Sequence, residues 1–590
     1  MGLRLLSILL YLFALLALGA VARRRGRRTA EDFYLASRSL QGWTLFLSMA
    51  ATNFSAFTVF GFSGAGWSSG YAFYPIMAFG TGFMALAFLL LGAPIWRIGK
   101  EQGLVTPPEL VFHRSGGSRS LRLVFLAVMT VFTLPYLAIQ PMAAGYALES
   151  LLGIPYYTGA AAVTCVVIAV VWLGGLRGEV WTDIFQGVVL IAVMALALGS
   201  VAKAYGGLSA ANASAAAQWP GLFSRPGLRE AFSPGVWFGY MGLWFLCDPM
   251  FPQLFQRFYA AKDPRALAAT AALYPLVTGS LFLLPVSLGV LGRLTFPSLP
   301  EGATADQILP LVLHDVASPW VETLAVCAGL AALITTLDSQ LLALASMAAR
   351  DVWEPLRARV TRATGEASRE TSAWAGRTFV VLLALAGLAL AYRPLGTFVE
   401  ITTETFTGLA VLFPIVWAAI SWKRFSAAAA VVSIVLGEGL VVAYHFECLP
   451  TFGTLPVVPV VALTTLALYV GSRLGRPRLL PRIRLAPALG RGEKILWAVV
   501  FAGLFAASHD IWAWDDARLG WLGFPRWVWY CIGLCATLST ALWGFGRRLV
   551  GHAAPAGIGA APTAAPQRHD RSDTRDDYDH RLRVRGKEMR

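Results

Sequence analysis

Long apolar stretches separated by short, basic loops recur along the chain. A helix needs roughly 20 apolar residues to cross a membrane, and the pattern predicts about fifteen such helices. The chain is therefore expected to be an all-α polytopic membrane protein. The stretches cover residues 3–21, 43–71, 74–96, 121–151, 156–173, 180–202, 237–255, 267–289, 320–347, 379–391, 401–422, 427–444, 455–469, 495–508 and 527–543.

Basic residues are distributed unevenly between alternate loops. If the N-terminus lies outside, the inner loops carry about 30 Lys and Arg before the tail is counted, against about eight in the outer loops. Cytoplasmic loops retain basic residues, so the asymmetry predicts an outer N-terminus and a cytoplasmic C-terminus. The arginine cluster within residues 23–28 follows the first apolar stretch, whereas a secretory signal carries its charges before it. We therefore expect an uncleaved first helix and a location in a bacterial-type cytoplasmic (inner) membrane.

Composition supports this interpretation. Of 590 residues, 57% are hydrophobic and 14% charged, whereas soluble domains have about 25% charged residues. The net charge of +15 comes from loops and not from a basic stripe interleaved with aromatic residues, so membrane lipid is an expected partner and nucleic acid is not. The six cysteines show no metal-ligand spacing, and we expect no cofactor. Oligomeric state is not readable.

Four regions follow from this organisation. Residues 1–42 are expected to form an extra N-terminal helix and a basic loop, and residues 43–424 a ten-helix core. Residues 425–548 form peripheral helices, and residues 549–590 a polar tail that we expect to be disordered. The tail is too short to be a kinase or another folded output domain.

Two apolar stretches are interrupted. The first carries Asn53 and Ser55 and then several glycines; the second carries Asp248, Pro249 and Pro252. Broken helices free backbone groups that must be satisfied against protein or a polar cavity. The two stretches are five helices apart, so they cross in opposite directions, as matching helices of two inverted halves do. Glycine packing and ordinary proline kinks are the simpler explanation of each break alone, but the pair favours a transporter.

A third feature is the stretch 331–351, which is apolar but carries Thr335, Thr336 and Asp338. A charge within a membrane helix costs roughly 2.5–3.5 kcal/mol on insertion scales and marks a functional candidate. Adjacent hydroxyls suit a hard cation, although membrane threonines also bond back to carbonyls one turn earlier.

The sequence resembles the sodium/solute symporter family, whose core is a LeuT-type repeat of five plus five inverted helices. Four stretches carry the resemblance, in the order that the family has them: EDFYLASRSLQGW together with SMAATNFSA and GFSGAG; GGLRGEVWTDIFQ; PQLFQRFYAAKD; and ALITTLDSQLLALASMAARDVW. A weaker match follows at FTGLAVLFPIVWAAISWKR.

The resemblance implies one sodium site between the first and eighth core helices. Carried over by motif, Thr335 and Thr336 supply hydroxyl oxygens and Ala332 supplies a carbonyl oxygen. Ala51 and Phe54 supply carbonyl oxygens freed where the first core helix unwinds, as the break itself suggests. The family commonly has Ser-Thr or Ser-Ser where this chain has Thr-Thr, so both hydroxyls are kept.

Two acids have open roles. Asp183 matches a family acid near the cytoplasmic side, where it could guide the ion or anchor a helix end. Asp338 could balance charge or pair with a loop arginine. Both are assigned to the ion pathway.

The solute is expected near the midplane between the two broken helices. Asp248 and Glu404 depart from the family pattern, and either could bind an amine or a proton. A carboxylate solute would have to use helix dipoles and the sodium ion, because the core spans carry no Lys or Arg at mid-depth. The candidate lining residues are Asn53, Ser55, Phe57, Gln140, Asp248 and Thr405.

The sequence therefore predicts a sodium-coupled secondary active symporter, not an enzyme, that imports a small polar organic solute by alternating access. An amino acid or a carboxylate is the expected solute. Proton coupling and a transporter-like sensor with a separate signalling partner are the alternatives.

Overall fold

The computed structural model describes residues 2–25, 29–361, 366–393, 396–475, 478–479 and 489–550. The expected tail lies almost entirely outside these residues. One two-residue pair of antiparallel strands joins Arg424–Phe425 to Arg478–Leu479. The α-helices are Gly2–Arg25, Ala30–Leu35, Gly42–Asn53, Phe62–Ser69, Phe73–Phe83, Ala85–Ala87, Ala93–Gln102, Pro107–Arg114, Arg119–Leu152, Tyr156–Ala204, Leu208–Gln218, Pro234–Cys247, Pro252–Ala260, Pro264–Leu281, Leu283–Thr295, Ile308–Val316, Pro319–Met347, Glu354–Thr361, Glu366–Leu390, Phe398–Ala410, Phe413–Ser421, Ala427–His445, Val457–Leu474, Arg491–Ala507 and Arg526–Val550.

Most predicted spans correspond to long apolar helices. Within the described ranges, 11 helices are long and apolar enough to cross a membrane, or 12 if one bent pair counts as a span. Tyr156–Ala204 is continuous for 49 residues, but Gly175 has φ 53° and ψ −159°. A Cβ at Gly175 would lie 2.7 Å from the carbonyl oxygen of Phe33. This break lies between the predicted spans 156–173 and 180–202; the total of fifteen stays a prediction.

The first interrupted stretch forms a broken helix, Gly42–Asn53 followed by Phe57–Ser69, with a bend of 61°. Phe54 ends the first half with φ −87° and ψ 92°. Local polar groups hold the break, since the Thr58 hydroxyl donates to the carbonyl of Asn53 at 3.2 Å. We call this element the first broken helix.

The second interrupted stretch is Pro234–Cys247 followed by Pro252–Ala260. A 3-10 turn, Asp248–Met250, separates the halves, and Phe251 has extended geometry with φ −60° and ψ 126°. Proline lacks an amide hydrogen and is tolerated at a helix start, which explains why a new helix begins at Pro252. We call this element the second broken helix.

The second half of the first broken helix packs without a gap against Leu283–Thr295. A Cβ at Gly66 would lie 2.3 Å from the carbonyl oxygen of Val286, and one at Gly289 would lie 1.9 Å from that of Ser63. The two backbones therefore touch through glycines on both sides, the close approach that small residues allow between membrane helices.

Helix Pro319–Met347, here called the threonine helix, is buried along most of its length, and all residues from Ala325 to Met347 are buried. It packs chiefly on Tyr156–Ala204 and Arg119–Leu152. A membrane helix enclosed by protein on all sides can carry polar side chains that lipid would not tolerate. Helices Leu208–Gln218 and Ile308–Val316 lie between predicted spans and were not expected.

Candidate functional site

The threonine helix faces the break in the first broken helix. The Thr335 hydroxyl lies 2.9 Å from the carbonyl oxygen of Ala332, 3.1 Å from that of Ala51 and 3.3 Å from that of Phe54. These carbonyls come from two different helices. The break therefore brings together the oxygen atoms that the sequence motif assigned to sodium.

Thr336 extends the same cluster. Its hydroxyl lies 3.0 Å from the carbonyl oxygen of Thr52 and 3.4 Å from that of Phe54. Every oxygen in the cluster is neutral, and calcium sites use carboxylates. Among the described residues, no group of three or more His, Cys, Asp or Glu is placed to hold a metal ion. A buried set of neutral hydroxyl and carbonyl oxygens suits a monovalent hard cation.

A buried charge network lies one turn further along the threonine helix. The guanidinium of Arg257 forms an ion pair with Glu179 and lies 3.3 Å from Asp183 Oδ2. The Ser339 hydroxyl is 2.5 Å from Glu179 Oε1, and Arg257 Nε donates to the Ser48 hydroxyl at 3.1 Å. The network ties both broken helices to the threonine helix and to Tyr156–Ala204.

The two acids assigned to the ion pathway differ in their contacts. Asp183 Oδ2 accepts a hydrogen bond from Ser48 at 2.9 Å. Neither oxygen of Asp338 has a hydrogen-bond partner among the described residues, so the suggested pairing with a loop arginine is not seen. Asp338 does lie close enough to Glu179 and Arg257 to interact electrostatically with both.

A cavity of about 20 Å³, room for about one water molecule, lies between the two broken helices. Three predicted solute residues line it: Asn53, Phe57 and Asp248. Asp248 is 2% exposed, and its Oδ2 has no hydrogen-bond partner in the described part of the chain. The Asn53 amide donates to the Tyr274 hydroxyl at 2.6 Å.

The other three predicted solute residues are buried outside this lining. Gln140 supports the first break: its Oε1 accepts from the Ala56 amide at 3.1 Å, and its Nε2 donates to the Tyr136 carbonyl at 3.1 Å. Ser55 Oγ is buried without a hydrogen-bond partner in the described residues. Thr405 is adjacent to a lining residue, Phe406.

Sequence reasoning missed most of the cavity wall. The residues not predicted are Thr58, Phe62, Met77, Thr81, Tyr136, Trp244, Phe251, Phe282 and Phe406. An isolated hydroxyl in an apolar span was a usable signal for Thr81. The aromatic residues gave none, because a phenylalanine in a membrane helix has the same pattern whether it faces lipid, protein or a cavity.

Glu404, the other departure from the family pattern, is exposed and lies 3.1 Å from His445 Nδ1. It takes no part in the cavity lining.

The profile of the sodium:solute symporter family matches residues 33–437. The chain belongs to this family. It is 26% identical over 483 residues to the sodium/pantothenate symporter of Haemophilus influenzae, covering 80% of this chain and 96% of that protein. It is 24% identical to the sodium/proline symporter of Staphylococcus aureus, covering 80% and 92%. The symporter is a transporter, not an enzyme, and Na⁺ is the coupling ion of its family.

A solved structure of a Na⁺-coupled sialic acid symporter in a substrate-bound outward-open state superposes with a TM-score of 0.68. The alignment is 18% identical and covers 81% of this chain and 99% of that one. It establishes a shared fold and confirms the all-helical LeuT-type architecture in its coarse form. The repeat of five plus five helices stays a prediction.

Proposed function

We propose that the symporter carries Na⁺ and one small polar organic solute together into the cell by alternating access. The observation that carries this proposal is the meeting of the Thr335 and Thr336 hydroxyls with the carbonyls of the first break. The pantothenate and proline symporters among its relatives support a small solute that carries polar groups.

Sodium would bind the oxygens of Ala51, Phe54, Ala332, Thr335 and Thr336. Such an ion links the first broken helix to the threonine helix and so favours the conformation in which the two elements are close. Asn53 and Phe57, on the same broken helix, line the solute cavity. Ion and solute therefore act on one element, and by linkage each raises the affinity for the other.

The ion pathway would run past Asp183 and Asp338. Both carboxylates lie beyond the threonines on the side of Arg257, where buried negative charge attracts a leaving cation. Ser339 joins the two regions, since its hydroxyl donates to the Thr335 carbonyl at 2.6 Å and lies 3.2 Å from the Thr52 hydroxyl.

The remaining features of the proposal concern the whole chain. The core would comprise residues 43–424, with residues 1–42 and 425–548 as peripheral helices. The N-terminus would face outward in a bacterial-type inner membrane. The bounds of the core follow the resemblance to the family, and the orientation follows the distribution of basic loops. Cysteine accessibility in intact cells would test the orientation.

The test of function is uptake into proteoliposomes. A pooled, labelled mixture of amino acids, short-chain carboxylates and organic amines is offered with an inward gradient of either Na⁺ or K⁺. We expect Na⁺-stimulated uptake that Thr336→Val reduces at least tenfold, because valine keeps the shape and removes the oxygen. Thr336→Ser, which keeps the hydroxyl, is the matched control and should retain most uptake.

Two results would contradict the proposal. Uptake driven equally by a pH gradient without Na⁺ would replace sodium by protons. Equal sodium dependence in Thr336→Val and in the unmodified protein would remove the threonine pair from the ion site.

A further inference from the structure

The chemistry of the cavity restricts the solute more narrowly than the family does. Asp248 lies in the turn between the halves of the second broken helix, and its backbone carbonyl accepts from the Phe251 amide. Its Oδ1 is 3.4 Å from the Cys247 thiol, a weak donor, and its Oδ2 has no partner among the described residues. Burying a carboxyl oxygen that has no hydrogen-bond partner is costly.

Two more buried polar atoms at this cavity also lack partners within the described residues. These are the Thr81 hydroxyl and the Trp244 indole N–H. Native proteins leave few such groups unsatisfied, and clusters of them mark places where a ligand completes the hydrogen bonding. Three at one cavity, with Asp248, point to a ligand site.

The walls of the cavity are aromatic. Phe57 and Trp244 are stacked with ring centroids 6.1 Å apart, and Phe406 contacts Trp244 at 5.4 Å. Phe406 also contacts Tyr136 at 4.9 Å and Phe251 at 4.7 Å. These rings come from four separate helices and the turn after Asp248, and they surround one carboxylate.

The lining contains no Lys, Arg or His. The nearest arginine along the second broken helix, Arg257, is 1% exposed and already paired with Glu179 and Asp183. Among its lining residues the cavity therefore presents one carboxyl group and several aromatic rings, and no Lys, Arg or His. An anionic solute would meet repulsion from Asp248, whereas a cation would be attracted by both features.

We propose that the solute of this symporter carries a positive charge, an ammonium group that pairs with Asp248 and packs against the surrounding aromatic rings. This inference rests on the proposed function, because it names the chemical class of the solute that moves with Na⁺. Asp248 supplies the counter-charge, and Phe57, Trp244 and Phe406 supply ring faces. The small volume between the rings favours a compact group. Amino acids remain candidates through their ammonium group; simple carboxylates do not.

The test uses purified full-length protein in nanodiscs and measures thermal protection by small probes in the presence of saturating Na⁺. Two matched pairs differ only in charge: choline against 3,3-dimethylbutan-1-ol, and n-butylammonium against n-butanol. Butyrate is the anionic probe. We expect at least one ammonium probe to bind tenfold or more tightly than its neutral isostere, and butyrate not to bind.

Two variants test whether Asp248 causes the preference for the ammonium probe. Asp248→Asn keeps the shape and removes the charge, and should abolish the preference for the ammonium probe. Asp306→Asn makes the same change at an equally buried carboxyl group outside the cavity lining and should keep that preference. Protection by Na⁺ over K⁺, measured first without any probe, shows that each variant is folded and that its sodium site works.

The outcomes separate the two proposals. Absence of Na⁺ protection in the unmodified protein contradicts sodium coupling, whatever the probes do. With Na⁺ protection intact, the ammonium proposal fails if neutral or anionic probes bind as well as their cationic partners, if no ammonium probe binds, or if Asp248→Asn discriminates as the parent does. Loss only of pH-driven uptake in Asp248→Asn, with discrimination unchanged, would assign a proton to this carboxylate and overturn the inference.

Discussion

The two broken helices differ in how the polar groups at the break are hydrogen-bonded. At the first break, the carbonyls of Ala51 and Phe54 meet the Thr335 hydroxyl of the threonine helix, and the Ala56 amide donates to Gln140. At the second break, Asp248 keeps an oxygen without a partner in the described part of the chain. At the first break the protein pairs the backbone groups, although the Ser55 hydroxyl has no partner among the described residues. At the second break a carboxyl oxygen is left for another group to complete.

This difference indicates that the two breaks bind different ligands. Neutral oxygens already held at fixed positions favour a small ion, because little reorganisation is needed when it binds. A carboxyl group with one unpartnered oxygen, lying among aromatic rings, favours the ammonium group of an organic cation. The first break therefore fits the coupling ion and the second break the solute, with Arg257 linking the two through Ser48 and Ser339.

The largest expected effect comes from cutting this link. Arg257→Met leaves Glu179 and Asp183 as uncompensated buried charges, so we expect the free energy of unfolding to fall by about 3–5 kcal/mol. Unfolding of the purified protein by SDS titration measures it. Arg97→Met is the control, because Arg97 pairs with Glu101 at a surface where both side chains are more than half exposed, and such pairs contribute at most about 1 kcal/mol. A similar decrease in the free energy of unfolding in both variants would show that Arg257 does not link the breaks.

A second prediction concerns the first break alone. Gln140→Leu removes the acceptor of the Ala56 amide, and a buried donor left without a partner costs about 1–3 kcal/mol. Gln340→Leu is a matched control, because Gln340 is equally buried and neither of its side-chain polar atoms has a partner in the described chain. The same titration should show destabilisation in the first variant and none in the second. Equal losses would mean that the amide contact adds nothing to the break.

The third prediction separates ion binding from folding. Thr335→Val removes a hydroxyl that lies near three carbonyls, while the Ala51 carbonyl still accepts from the Phe54 amide at 3.1 Å. We expect the sodium concentration giving half-maximal thermal protection to rise at least tenfold, about 1.4 kcal/mol, with little change in stability measured in K⁺. Thr335→Ser should behave like the parent. A loss of stability without a change in sodium response would assign the hydroxyl a purely structural role.

The smallest effect concerns the far end of the first broken helix. Asp306, in the turn Ala305–Gln307 outside the membrane spans, packs beside Gly64 and accepts from the Phe398 amide at 2.9 Å. Burial raises the pKa of Asp306 from 3.8 to about 7; the Phe398 amide opposes the shift, and Glu400 adds to it.

Because the folded-state pKa lies above the unfolded value, the protonated form stabilises the docked turn below that pKa. This contribution is complete below about 3.8 and is lost progressively as the pH rises from there to about 7. Hydrogen exchange of residues 305–307 and 398, corrected for intrinsic rates, should show less protection at pH 8 than at pH 6. Asp306→Asn should remove the pH dependence, and a variant that keeps it would assign the titration to another group.

The sequence predicted the first break well. Thr335 and Thr336 are adjacent hydroxyls in an apolar helix, and Ala51 and Phe54 flank a visible interruption, so local signals marked both partners. Their approach across 284 residues followed from the family motif, not from local pattern.

The second break was predicted less completely. Asp248 was visible as a charge in an apolar span, but Trp244 and Phe406 were indistinguishable from lipid-facing residues. Glu179 falls between the predicted spans 156–173 and 180–202, but it is 3% exposed and lies inside the long helix Tyr156–Ala204. Its pairing with Arg257 depends on packing between helices 78 residues apart, which no local periodicity records.

The glycine contacts between Phe57–Ser69 and Leu283–Thr295 have a mechanical consequence. Two helices whose backbones touch at Gly66 and Gly289 cannot slide past each other without a collision of main-chain atoms. Any tilting of the second half of the first broken helix must carry its neighbour with it. If that half tilts about the three-residue break before Phe57, the unit that moves is a pair of helices.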